Sequence, residues 1–360
     1  MAKDSIYYKN KKITNTVKLR ELLSELPQYA VNYIYSKEVN TEISTRIQYA
    51  YDLIAFFEFL KYKNPTLKKK DIKDIDIDSL SHLSSLDIME YQRYLELNVD
   101  DKNYHENNKK AIARKMSPLR GMFKFMLEHK YITEDPTALA SLPKIKKDKN
   151  IIRMNSYEVR SLLDAVKNGS SQMTKRQRAY LEKTKYRDIA ILTLMLNTGI
   201  RVSECVGLDL SDINFSDDSF AIVRKGGAQD VLYFGEYVYD ALNDYIKLER
   251  KNINIVDENN KKALFLSLQG KRISVDAVEN LVKKYSKMVV PNKKITPHKL
   301  RSTYGTALYR ETGDIRLVAN VLGHENINTT IDYYAAIEDE HKRKARNAVD
   351  FNKQSKNNIK

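Results

Sequence analysis

The side chains best suited to chemistry in this sequence are cationic, and two of them share one helical turn. His298 and Arg301 stand three positions apart, a spacing that places both on one face of a helix. A guanidinium offers a planar fork of donors to a phosphate, and an imidazole can move a proton near neutral pH. Taken alone, a His-x-x-Arg pair is more often a surface or core feature.

Four further positions carry groups that could act on a phosphate, each ambiguous by itself. Arg201 stands at a predicted helix start, and Glu204, one turn later, could hold that guanidinium or stabilise the helix N-terminus. Lys225 lies at the tip of a glycine hairpin, where an ammonium could protonate a leaving oxygen, although most hairpin lysines only keep a turn soluble. His324 follows a Leu-Gly pair and by itself indicates a polar helix end.

Two adjacent tyrosines, Tyr333 and Tyr334, are the candidate nucleophiles. A phenol with a pKa of about 10 attacks poorly, so covalent chemistry would need nearby cations that favour the phenolate. Two packed core tyrosines are the alternative. Because adjacent helical residues point about 100° apart, we expect only one of the two to face a phosphate.

Read in order, these positions resemble the tyrosine site-specific recombinases, the integrase and Xer family. The resemblance covers nearly the whole chain and is specific, because six functional positions occur in family order with matching local context. The segments that carry it are Thr198-Gly199-Ile200-Arg201-Val202-Ser203-Glu204, Lys225-Gly226-Gly227, His298-Lys299-Leu300-Arg301, Leu322-Gly323-His324 and a tyrosine nine or ten residues later.

The resemblance implies a reaction and a role for each position. Arg201 and Arg301 are expected to clamp the scissile phosphate, with His298 and His324 as flanking groups that bind phosphate and handle protons. Lys225 is expected to act as general acid toward the leaving 5′-oxygen. Attack by a tyrosine gives a 3′-phosphotyrosyl link, and attack by a partner strand's hydroxyl reverses the step. The resemblance implies no metal, ATP or other cofactor.

Two counts compete for the identity of the nucleophile. Tyr333 lies nine residues after His324, as in Xer recombinases, whereas many mobile-element integrases place theirs at ten. The family pattern Thr-Thr-x-Asp-x-Tyr-x-His-aliphatic favours Tyr334, with Ala336 in place of the usual histidine. We therefore predict Tyr334, with Tyr333 as the alternative. A second departure is Ser302, where the family often has histidine, and it affects a secondary contact rather than the reaction.

Helical periodicity dominates the elements that must position these groups. Pro118 lies inside one predicted helix and predicts either a kink or a break. Ser85 or Asp87 is expected to cap a helix through Leu97, and Ser274 another. The remaining helices are predicted over 19–35, 43–62, 109–130, 156–166, 187–196 and 298–310.

Short β-favouring runs predict a small sheet in the second half. Phe220–Arg224 and Val231–Phe234 flank two glycines, a hairpin signal, and Ala263–Leu266 is expected to add a third strand. The predicted fold class is therefore mainly α with a small antiparallel β-sheet (α+β). The resemblance adds a two-domain architecture, a helical core-binding domain followed by a mixed catalytic domain.

A proline followed by a basic run, 144–149, is the strongest domain boundary. We expect a SAM-like helical DNA-binding domain over 1–143, a linker over 144–152, a catalytic domain over 153–345 and a basic tail over 346–360. In this family the C-terminal helix commonly docks onto a neighbouring subunit, and a solvated tail is the alternative. Either phosphate contacts or plain solvation would explain the linker lysines, Lys144, Lys146, Lys147 and Lys149.

Composition narrows the partners. The chain has 62 Lys+Arg against 47 Asp+Glu, a formal charge of +15, which favours an anionic partner and above all nucleic acid. No long apolar run or apolar N-terminus is present, so we expect a cytoplasmic, nucleoid-associated protein without membrane contact. Cys205 is the single cysteine and the histidines are scattered, which argues against a metal site.

The resemblance implies double-stranded DNA at specific recombination sites as the partner, bound by a homo-tetramer on paired sites. Two functions remain open as alternatives, a type IB-like topoisomerase and a DNA-binding regulator with a decayed active site, although the intact residue set argues against decay. The biological role is also open. The lack of an obvious arm-binding domain favours Xer-like dimer resolution, whereas the tyrosine spacing favours integration and excision of a mobile element.

Overall fold

The computed structural model describes residues 6–100, 103–144, 152–169, 173–224, 226–324 and 331. The chain divides into two compact units, with the boundary between Lys147 and Asp148. Several residues singled out by the sequence lie outside the described ranges: Lys146, Lys147, Lys149, Lys225, Tyr333, Tyr334, Ala336 and the tail over 346–360.

The N-terminal unit is built from six α-helices and a β-hairpin within the described ranges. A short 3₁₀ turn, Ile72–Asp74, precedes the fourth helix. The elements are α1 (Ile6–Ser24), α2 (Gln28–Ser36), α3 (Ile43–Lys63), α4 (Ile77–Ser81), α5 (Ser85–Glu96), β1 (Leu97–Asp100), β2 (Asn103–Glu106) and α6 (Lys109–Glu128).

Two sequence predictions for this unit are wrong in detail. The helix expected over 19–35 is two helices, because Pro27 stands at the N-cap of α2 and interrupts the first. Ser84, rather than Ser85 or Asp87, caps α5, and Asp87 completes its capping box. The polar segment after α5 forms the antiparallel β1–β2 pair, which polarity alone did not indicate.

Aromatic side chains fill the core of the N-terminal unit. Tyr33, Phe56, Phe57, Tyr91 and Phe123 are all at most 2% exposed. The prediction of α3 and α6 is confirmed, and α6 continues through Pro118 without ending. The apolar stripe of α6, read from its spacing, is therefore a core face.

The C-terminal unit is also mainly helical. A π-helical turn, Tyr245–Glu249, and a 3₁₀ turn, Arg250–Asn252, continue its fourth helix. Its elements are α7 (Ser156–Asn168), α8 (Lys175–Thr198), α9 (Val202–Val206), β3 (Ile213–Asn214), β4 (Ser219–Val223), β5 (Gln229–Tyr233), α10 (Glu236–Asp244), α11 (Glu258–Lys261), α12 (Val275–Val289), α13 (Pro297–Thr312) and α14 (Ile315–Leu322).

The sheet of this unit has the order β3-β4-β5 and is antiparallel throughout. The predicted hairpin is confirmed, with Phe220 opposite Leu232. The predicted third strand at 263–266 is wrong: that segment makes only isolated bridges, and β3 is the third strand. A short apolar run in a sequence predicts that the segment is buried, but it forms a strand only where a partner strand lies beside it. The fold is mainly α with a small antiparallel sheet, as predicted.

The helix ends near the site follow the sequence signals. Ser274 caps α12 by accepting from the Ala277 backbone N–H at 3.1 Å. Pro297 occupies the first turn of α13, and left-handed glycines, Gly199 and Gly323, follow α8 and α14. Across the described ranges, no helix has both the length and the apolar character needed to span a bilayer.

Candidate active site

Arg301 is buried on α13 and is held by the ends of two other helices. Its Nη1 donates to the Gly199 carbonyl at 2.5 Å, and its Nη2 donates to the Leu322 carbonyl. These carbonyls close α8 and α14, where helix ends carry partial negative charge. Both contacts fix the direction of the guanidinium, and neither carbonyl neutralises its positive charge.

Arg201 stands at the N-cap of α9 and is tied to both Glu204 and α14. Its Nη1 donates to Glu204 Oε1 at 2.7 Å, and its backbone N–H donates to Glu204 Oε2 at 2.9 Å. Its Nη2 donates to the Gly323 carbonyl at 2.7 Å. Glu204 is buried, whereas the Arg201 side chain is 30% exposed. The carboxylate therefore positions the guanidinium while one edge of it stays open to solvent.

Arg224 is a residue of this cluster that the sequence analysis did not single out. Its Nη2 donates to the Val321 carbonyl at 2.8 Å, its Nε to Asp230 at 2.9 Å and its Nη1 to Glu204 at 3.4 Å. A signal was present in the sequence, because Arg224 and Asp230 flank the predicted glycine turn with opposite charges. Only the fold shows that this strand end reaches α14.

Two glycines allow the helix ends to approach the arginines. Gly199 has φ +63°, and a Cβ there would lie 2.5 Å from a ring carbon of Tyr304. Gly323 has φ +58°, and a Cβ would lie 2.7 Å from Arg224 Nε. Both positions need glycine for backbone conformation and for space. The Thr-Gly and Leu-Gly motifs are therefore structural parts of the cluster.

The two histidines share the positive field of these arginines. Partial burial and the charges of Arg301 and Arg201, with smaller effects of His298 and Arg224, lower the pKa of His324 to about 4. Desolvation and the charges of Lys299, Arg301 and Arg201 also lower the pKa of His298. Both imidazoles are therefore neutral at pH 7, and each can accept a proton.

The predicted residues fall into two groups by their placement. Arg201, Glu204, Arg301 and His324 meet around the end of α14, and His298 lies one turn before Arg301 on α13. Ser302 donates to the His298 carbonyl at 2.8 Å, a contact within the helix. Lys144, the first linker lysine, is exposed. Among the described residues, no three or more His, Cys, Asp or Glu side chains are grouped so that they could hold a metal ion.

The arrangement is suited to binding a singly charged oxyanion such as a phosphodiester. The guanidinium groups are aimed by carbonyls and by Glu204, so little reorganisation is needed when negative charge develops on a bound phosphate. Neutral imidazoles beside them can take up or donate a proton. Phosphoryl transfer in which no carboxylate acts as nucleophile requires fixed hydrogen-bond donors and groups that can transfer a proton, and this site contains both.

Comparison with known proteins gives a consistent result. Residues 153–341 match the phage integrase family. The chain is 35% identical over 308 residues to tyrosine recombinase XerC of Caldanaerobacter subterraneus subsp. tengcongensis, covering 83% of this chain and 79% of that protein. It is 30% identical over 357 residues to tyrosine recombinase XerS of Streptococcus agalactiae, covering 92% of this chain and 97% of that protein.

Solved structures show the same fold. The Tn1549 transposon integrase in complex with circular intermediate DNA aligns with a TM-score of 0.61 at 19% identity, covering 85% of this chain and 94% of that chain. The XerH site-specific recombinase bound to its difH substrate aligns with a TM-score of 0.60 at 16% identity, covering 88% and 89%. With the family match and the relatives above, these alignments show that the chain belongs to the phage integrase family of tyrosine recombinases, enzymes that cleave and rejoin DNA strands.

Proposed function

We propose that this protein is a site-specific DNA recombinase that exchanges strands through a 3′-phosphotyrosyl intermediate. The observation that carries the proposal is the pair of arginines, Arg201 and Arg301, anchored on the ends of α8 and α14. Fixed guanidiniums of this kind stabilise the charge that accumulates on a phosphate under attack. The attacking group in this proposal is Tyr334, with Tyr333 as the alternative, on the sequence pattern alone.

In the proposed cleavage step, the Tyr334 oxygen attacks the scissile phosphorus and the bond from phosphorus to the 5′-oxygen breaks. The phenolic proton passes to the imidazole of His298 or His324, because the lowered pKa of each keeps both rings neutral at pH 7. Lys225 supplies a proton to the departing 5′-oxygen. Attack by a 5′-hydroxyl of the partner strand on the phosphotyrosine reverses these transfers.

The N-terminal unit is proposed to grip the duplex, as a core-binding domain over 1–143. Asp52 on α3 is buried and pairs with Arg114 at 3.1 Å and Lys115 at 3.4 Å, near the start of α6. This carboxylate orients two cations whose side chains remain 49% and 23% exposed. Together with a linker over 144–152 that begins at exposed Lys144, they could supply the phosphate contacts that hold a duplex without reading its sequence.

The proposed assembly is a homo-tetramer on two paired DNA sites, because strand exchange between duplexes needs four strands cut and joined in turn. The relatives include Xer proteins and a transposon integrase by name, so dimer resolution and mobile-element movement both remain within the proposal. We place this activity on cytoplasmic, nucleoid-associated DNA. Within the protein, 153–345 is the proposed catalytic domain and 346–360 a tail for contact between subunits.

A covalent-trapping assay tests the proposal. A nicked duplex carrying the recombination site loses a short fragment on cleavage, so the wild-type protein should accumulate a protein–DNA adduct that survives denaturation. Tyr334→Phe should abolish the adduct and Tyr333→Phe should retain it; the opposite pattern reassigns the nucleophile. No adduct from the wild type on any cognate site would refute the enzymatic function, and supercoil relaxation without recombinant product would indicate a topoisomerase.

A further inference from the structure

The turn that contains Lys225 is closed on both sides by the backbone of Arg224. The Arg224 N–H donates to the Ala228 carbonyl at 2.7 Å, and the Arg224 carbonyl accepts from the Gly227 N–H at 3.0 Å. Gly226 and Gly227 both have positive φ, and a Cβ at either would meet no atom within 4 Å. The two glycines therefore contact no other part of the unit, and the attachment of the hairpin depends on its base.

The Arg224 side chain provides that attachment. It is 9% exposed and spans three elements: it pairs with Asp230 across the hairpin, with Glu204 on α9, and with the Val321 carbonyl near the end of α14. Glu204 in turn holds Arg201, so the base of the hairpin and the Arg201 guanidinium share one carboxylate. The Cβ space at Gly323, next to His324, is filled by the same Arg224 side chain.

We propose that Arg224 is a positioning residue that sets the reach of the Lys225 hairpin toward the scissile phosphate, an inference that rests on the proposed recombinase function. Proton donation to a leaving oxygen requires the ammonium within hydrogen-bonding distance, so the strand end that carries the lysine has to be held in place. Because Arg224 joins the hairpin to the elements that carry Arg201 and His324, it couples the position of the general acid to that of the phosphate clamp.

This role makes a prediction that a general loss of structure does not share. In the natural substrate, the bond from phosphorus to the 5′-oxygen breaks and a proton from Lys225 goes to that oxygen. In a duplex with sulfur at the bridging 5′ position, the bond from phosphorus to sulfur breaks instead. The leaving thiolate needs no proton, since thiols have a pKa of about 8.5. A displaced general acid therefore matters only for the oxygen substrate.

The test compares single-turnover cleavage of the two substrates. Arg224→Ala is expected to slow cleavage of the oxygen substrate at least tenfold and to cleave the sulfur substrate within threefold of wild type, as Lys225→Ala should. Arg224→Lys keeps the charge but cannot reach three partners, so it should show the same pattern more weakly. The matched control is Arg250→Ala, since Arg250 is 8% exposed and donates to the carbonyls of Lys261, Ala263 and Leu264, away from the hairpin.

An equal loss on both substrates in Arg224→Ala would overturn the proposal, because the arginine would then act on phosphate binding or on folding. A loss in Lys225→Ala that sulfur does not restore would also overturn it, because there would be no proton transfer to position. If the wild type cleaves neither substrate, the proposed function fails, and amide exchange in the DNA-free protein still tests Arg224. The backbone amides of residues 224 and 227 should exchange at least tenfold faster in Arg224→Ala than in Arg250→Ala. Unchanged exchange refutes the positioning role.

Discussion

Arg301 in the C-terminal unit and the pair of cations on α6 in the N-terminal unit are held in opposite ways. In the C-terminal unit, Arg301 is buried and donates to the carbonyls of Gly199 and Leu322. In the N-terminal unit, the buried group is the carboxylate of Asp52, and Arg114 and Lys115 extend from it toward solvent. A guanidinium fixed by carbonyls keeps its charge and its direction, whereas a cation tethered to a carboxylate keeps freedom at its outer side.

The difference suggests a division of labour between rate and affinity. Fixed donors lower the barrier of a reaction because they need not reorganise as charge develops. Exposed cations add contacts to a duplex that depend on salt and little on exact geometry. Changes in the C-terminal cluster should therefore affect the cleavage rate, and changes at the N-terminal cations should affect binding.

The largest effect is expected from Arg301→Lys. A lysine ammonium lacks the planar fork that reaches the Gly199 and Leu322 carbonyls together, so the clamp loses its direction although the charge remains. Single-turnover cleavage at saturating DNA should fall by roughly 10²–10³-fold, with a much smaller change in the dissociation constant. Arg250→Lys is the matched conservative change away from the cluster. Equal losses of rate and affinity would contradict the division.

A glycine pair separates backbone strain from displacement of Arg224. Gly323→Ala and Gly313→Ala both place an L-residue at positive φ, which costs about 1–2 kcal/mol of unfolding free energy in each case. A Cβ at Gly313 meets nothing within 4 Å, whereas one at Gly323 meets Arg224. Denaturant unfolding should show the larger loss for Gly323→Ala, and its cleavage should fall about tenfold or more, consistent with disturbed electrostatic positioning. Matching behaviour of the two variants would show that the contact with Arg224 has no consequence.

The N-terminal cations are tested by the double variant Arg114→Ala with Lys115→Ala. DNA affinity should fall, and the slope of log affinity against log salt should become shallower by about 2, close to one per lost phosphate contact. Cleavage at saturating DNA should stay within about threefold of wild type if these cations do not contribute to the barrier. The control is Lys124→Ala, because the Lys124 side chain is 73% exposed and lies near the other end of α6. A salt slope that does not change would remove this face from the DNA-binding surface.

The smallest effect is expected in the pH dependence of stability. The pKa of His324 is lowered to about 4 in the folded protein, below the ordinary value of 6.5 expected in the unfolded chain. The unfolded state therefore binds the proton first, so this contribution to stability is complete above pH 6.5 and is lost as pH falls toward 4. His324→Gln should therefore make the midpoint of denaturant unfolding depend less on pH over that range. His82→Gln, an exposed histidine of the other unit, controls for the substitution itself. A profile unchanged by His324→Gln would show that the imidazole is not held neutral by the cluster.

Local signals predicted most of the helices and the hairpin of the C-terminal unit. The Ser274 cap depends on neighbouring residues alone and is found as expected. Pro297 in the first turn of α13 and Gly199 after α8 are local signals of the same kind. The predictions that are wrong needed information from further away. Ala263–Leu266 has the composition of a strand, but no partner strand lies beside it to form a ladder. The hairpin after α5 shows the reverse case: β1 and β2 pair although their sequence lacks the alternation of apolar residues that predicts a strand.

For the site, the sequence by itself determined which groups are available: two arginines, two histidines and a glutamate in motifs whose order resembles the tyrosine recombinases. The tertiary structure decided what holds them. Arg301 donates to the carbonyl of Gly199, 102 residues away in sequence, and Arg224 donates to the carbonyl of Val321, 97 residues away. Backbone carbonyls are present at every residue and leave no trace in a sequence pattern, so only the packing of α8, β4 and α14 shows which of them anchor the cations.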